Sequence, residues 1–70
     1  MKKALENTQR EIMQLMVSIA QNDRANSERQ LEEIKTMILD GLDHTADDEE
    51  LVKWGKFLKI VEELETKLPV

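Results

Sequence analysis

The stretch 21-QNDRANSERQ-30 holds one aliphatic side chain, Ala25, between two segments rich in Leu, Ile and Met. If it is a corner, the chain closes a core by itself. If one helix runs through it, an apolar face is left over for a partner. Carrying the phase of the upstream apolar stripe forward rotates the downstream one by only ~60°, which left-handed supercoiling would absorb, and no Gly or Pro interrupts the run. Against that, the seam positions of a continuous helix are Asp23, Asn26, Ser27 and Gln30, all polar.

Folding such a hairpin about His44 sets Leu58, Val61 and Leu64 opposite Gln30, Ser27 and Arg24, the best apolar face against the worst. A break near Asn22 to Asn26 instead brings Ile12 level with Met37, Ile38 and Trp54. It also brings Met16 level with Ile34 and Leu58, and Ile19 level with Leu31 and Val61. Ser27 and Gln30 have capping-box spacing, and Asn22 tolerates a left-handed helix end. A connection of about five residues is ordinary between helices. The expected fold is therefore all-α, a small three-helix bundle forming a single domain over 1–70, with helices at about 3–22, 27–41 and 46–68. The alternative is a long helical hairpin completed by a dimer or a partner protein.

The stripes support helices throughout. Leu5, Ile12, Leu15, Met16 and Ile19 recur at helical spacing, as do Leu31, Ile34, Met37, Ile38 and Leu42. Gly41 reads as the end of the second helix. Thr45 reads as the cap of the third, with Asp48 three residues on and four acids, 47–50, where the helix dipole favours negative charge. Leu51, Trp54, Leu58, Val61 and Leu68 then step by three and four, flanked by Phe57 and Leu64, until Pro69 stops the helix. Glu6 with Arg10, Glu49 with Lys53 and Glu63 with Lys67 are spaced for i,i+4 ion pairs. Mid-helix Gly55 suggests the close approach of another helix.

Seventy residues with 36% charged side chains and a net charge of −5 bound what such a domain can do. The acidic balance disfavours phosphate backbones and anionic membranes, so neither nucleic acid nor membrane is an expected partner. No apolar run approaches the ~20 residues of a membrane span, and the start Met1-Lys2-Lys3 lacks the apolar segment of a signal peptide. The absence of Cys fits a reducing, cytoplasmic setting.

Chemistry is sparse. Asp40, Asp43, His44, Asp47, Asp48, Glu49 and Glu50 cluster around one turn, yet lack the alternating ligands and central Gly of a calcium loop. One His, no Cys and no Tyr leave no activated nucleophile or acid–base pair, so neither enzymatic activity, nor a metal, nor a cofactor is expected. A helix-turn-helix reading fails because the would-be recognition helix begins with four acids. The Asp-Ser-Leu of acyl carrier proteins is missing, since the serine here stands in Asn26-Ser27-Glu28.

What remains is a non-catalytic protein–protein interaction module, a small cytoplasmic regulator or adaptor acting through an apolar helical face. Another protein or a second copy in a homodimer is the expected partner. Leu51, Trp54, Phe57, Leu58 and Val61 are the most defined such face, with Val52 and Ile60 available if that face is consumed internally. Met13, Val17 and Leu39 also lie outside the stripes. A long helix, a Gly-containing turn and a second amphipathic helix resemble, over most of the chain, the needle-protein co-chaperones of bacterial type III secretion. That resemblance implies a dedicated chaperone shielding a partner's hydrophobic helix.

Overall fold

The computed structural model describes residues 2–68. It contains α1 (Lys2–Ala20), α2 (Arg24–His44) and α3 (Asp48–Glu65). The hydrophilic decamer is a corner, but a tighter one than its composition implies: only residues 21–23 leave the helical path. Asn22 takes the left-handed conformation at φ 57°. Asn22 and Asp23 donate their backbone N–H groups back to Ile19 O and Ser18 O, closing the end of α1. The longest dimension of the molecule is 38 Å. A single helix from residue 3 to residue 41 would need roughly 60 Å, so the long-hairpin alternative is overturned.

Expectations about the helix ends are corrected. Asp23, not Ser27, caps α2, its carboxylate accepting from Asn26 N at 3.2 Å. Ser27 is instead fully buried, its hydroxyl donating to Asp23 O at 2.7 Å. Asp47, not Thr45, caps α3, with Oδ1 accepting from Glu49 N at 2.9 Å. Thr45 donates its hydroxyl to Glu50 Oε2 at 3.0 Å. α3 ends at Glu65 rather than 68, and Pro69 lies outside the described residues.

Gly41 does not end α2, which continues to His44. It is a clearance. An ideal Cβ built on Gly41 would stand 2.2 Å from Cε2 and 2.4 Å from Cζ2 of Trp54, so only a hydrogen leaves room for the indole. Gly55, by contrast, has nothing within 4 Å of its virtual Cβ, and no helix approaches it. Gly55→Ala is therefore expected to stabilise the protein, by up to ~1 kcal/mol, through helix propensity alone. A lower urea midpoint for the variant would refute this.

The core is Leu5, Ile12 and Leu15 from α1, Leu31, Ile34 and Ile38 from α2, and Trp54, Val61 and Leu64 from α3. With Thr8 and Ile19 on α1, Ser27 and Gly41 on α2, Phe57 on α3 and Leu68 just beyond it, each seam steps alternately by three and four. Thr8 is fully buried at one such position, its hydroxyl donating to Ala4 O at 2.8 Å. Met16, expected inside, is 44% exposed. α2 packs closely on both neighbours, whereas α1 and α3 meet at few points. Lys35 of α2 pairs with Glu65 of α3 at 2.9 Å, and Arg24 pairs with Glu28 along α2. The three i,i+4 pairs expected from spacing are not among the ion pairs formed by the described residues.

Candidate interaction surface

The seven residues nominated from sequence separate into three groups. Trp54 and Val61 are enclosed, at 1% and 0% exposure, and meet nothing outside unless the bundle opens. They belong to the core. Phe57 and Leu58 are half-buried and packed against it. The Phe57 ring meets Trp54 edge-on, with centroids 6.0 Å apart and planes at 89°, a favoured aromatic geometry. Leu51, Val52 and Ile60 remain exposed on α3.

A second apolar surface was less evident in the sequence. Met13, Met16 and Val17 are all exposed on α1, at 60%, 44% and 55%. Spaced i, i+3 and i+4, they share one side of that helix. Met13 and Val17 already stand out as apolar residues off the stripe. Met16 does not, because its spacing fits the stripe as well as the surface; the core instead takes Thr8, whose polar name conceals a hydroxyl satisfied by its own helix. Leu39 is likewise exposed on α2.

The charged end of the molecule lies at the turn between α2 and α3. Asp40, Asp43, Asp47, Asp48 and Glu49 are exposed there and Glu50 is half-buried. No group of three or more metal-ligating side chains comes together among the described residues. His44 Nδ1 lies 2.8 Å from Asp40 O and 3.2 Å from Asp40 Oδ1. The hydrogen bond to the Asp40 backbone, reinforced by the Asp40 and Asp43 charges, raises the His44 pKa above its ordinary 6.5.

That shift fixes the sign of a pH effect. A group whose pKa is higher in the folded state stabilises fully below its unfolded value and loses that contribution as pH rises through the folded value. The melting temperature should therefore fall slightly as pH is raised from below 6.5 to above the folded pKa. His44→Gln should flatten that part of the profile, and an unchanged slope in the variant would assign the effect elsewhere. The imidazole is fully exposed, so the effect is small.

None of the described helices is long and apolar enough to cross a membrane. The chain matches no protein-family model, no curated protein and no solved structure.

Proposed function

We propose that this protein is a non-catalytic protein–protein interaction module, a small cytoplasmic regulator that works by self-association through an apolar helical face. One observation carries the reading. After the core has closed, seven large apolar side chains among the described residues stay exposed, and three of them, Met13, Met16 and Val17, share one side of α1. Isolated exposed apolar residues are ordinary, whereas a set sharing one side of a helix on so small a domain supports a contact there.

A second copy suits this surface. Two-fold dimers join the same patch on both subunits, and a straight helical face meets its own twin with little rearrangement. Methionine adapts to an imperfectly matched neighbour through its unbranched, polarisable side chain. A chain of this size also gains from burying more apolar area than its own core provides. The co-chaperone outline depended on one long helix, and the corner at Asn22 removes that feature.

Sedimentation equilibrium of the wild-type chain should give a concentration-dependent mass approaching twice 8.2 kDa. Met13→Glu with Val17→Glu should leave the helical content intact and return the mass to that of a monomer. Val52→Glu with Ile60→Glu serves as the comparison on α3. A wild-type monomer at every concentration refutes self-association, and dissociation by the α3 pair alone moves the contact to α3.

A further inference from the structure

Helix α3 carries an exposed face that the bundle does not use. Residues 51–61, LVKWGKFLKIV, hold three lysines and no acid, in a chain with 15 Asp and Glu. Lys53, Lys56 and Lys59 are exposed, as are Val52 and Ile60. None of the three lysines is ion-paired among the described residues. Val52, Gly55, Lys56 and Lys59 are spaced i, i+3, i+4 and i+7, the positions that bound the hole into which a facing helix inserts a side chain. Gly55 leaves one corner of that hole open down to the backbone, with nothing within 4 Å of its virtual Cβ. A mid-helix glycine weakens its helix, and no contact inside the bundle requires this one. Close approach by a helix from outside accounts for it.

We propose that this face docks an acidic amphipathic helix of another protein. One aliphatic side chain of that helix enters the hole, against Val52 and the methylene stems of Lys56 and Lys59. Carboxylates beside it pair with the Lys53, Lys56 and Lys59 ammoniums, which an uncharged partner would strip of water without replacement. Charge complementarity also sorts the occupants. The α1 face of a second copy carries no charge from residue 12 to residue 22 and leaves the lysines unmatched. The basic window is about 16 Å long, and acids close it at both ends, Asp47 to Glu50 before it and Glu62 and Glu63 after it. A lipid surface or a nucleic-acid duplex is broad enough to meet those acids, whereas a helical segment of about three turns is not. This site shares no residue with the α1 face, so either can fail without the other.

The probe is a blocked, fluorescein-labelled helical peptide of about four turns, with leucine along one side and glutamate beside it. Titration with the chain at low salt should raise its anisotropy saturably, and the peptide should move the backbone amide resonances of residues 52–60 more than any others. Lysine in place of the peptide's glutamates should abolish the response. Lys53→Gln, Lys56→Gln and Lys59→Gln together should weaken binding about tenfold, the scale of three exposed ion pairs. Gly55→Leu, which fills the hole, should weaken it at least as much while raising the melting temperature, so that the loss is not a loss of fold. The proposal is overturned by a wild-type chain that gives no response, by equal affinity for the lysine peptide, or by a Gly55→Leu variant that binds like the wild type. Phosphatidylserine vesicles moving the same resonances would assign the face to a lipid surface, and a sedimentation mass that Gly55→Leu lowers would assign it to a second copy; each result overturns the proposal as well.

Discussion

Gly41→Ala is expected to lower the stability of the bundle by about 2–3 kcal/mol, although the same change in an exposed helix would raise it by up to ~1 kcal/mol. The added methyl would stand 2.2, 2.4 and 2.6 Å from three indole atoms. Those distances are far inside contact, and the ring they meet is fully buried and cannot swing away. Overlap of that depth outweighs the propensity gain. Urea unfolding followed by circular dichroism, which also reads variants lacking Trp54, measures the loss. Trp54→Leu placed on top of Gly41→Ala should cost less than Trp54→Leu alone, because the smaller side chain relieves the overlap. Additive losses, or a Gly41→Ala variant as stable as the wild type, would show that the indole does not need this clearance.

Ile34→Ala is the second large effect, at about 2–5 kcal/mol for a buried aliphatic truncated to methyl. Ile34 sits at 0% exposure in the middle of α2, the helix on which both others pack. A domain of this length has roughly 3–10 kcal/mol in total, so the truncation removes a large share and leaves a measurable unfolded population. Ile34→Val, which keeps most of the volume, should cost about 0.5–1.5 kcal/mol. Leu39→Ala, on the exposed side of α2, should stay within about 0.5 kcal/mol. Thermal melts by circular dichroism rank the three variants. An Ile34→Ala variant that melts with the wild type would mean that the core is not closed where the packing places it.

Much of this architecture is legible in the residues themselves. The polar decamer announces a corner because its would-be seam has nothing to bury, and Asn22 takes the left-handed turn its side chain tolerates. Leu5, Ile12 and Leu15, Leu31, Ile34 and Ile38, and Trp54, Val61 and Leu64 reach the core their spacing assigns them. What escapes the sequence is non-local or hidden by polarity. Gly41 reads as a helix stop because nothing local reveals a Trp thirteen residues on, and Gly55 invites the opposite mistake. Thr8, passed over as polar, and Ser27, read as a cap, are buried because their hydroxyls are satisfied by the preceding turn of their own helix, leaving their carbon atoms free to pack. The nominated face was half consumed for a related reason. A single stripe on α3 cannot say where the core ends, and the structure draws that line between Trp54 and Leu51.

The position of α2 bears on how the molecule reaches this state. Every close helix pairing joins neighbours in the chain, α1 with α2 and α2 with α3, across connections of three residues each. Little entropy is spent in bringing such segments together, so refolding belongs in the microsecond-to-millisecond range of low contact order topologies. Because α1 and α3 hardly meet, either docking step can come first, and the middle helix is the template that both routes share.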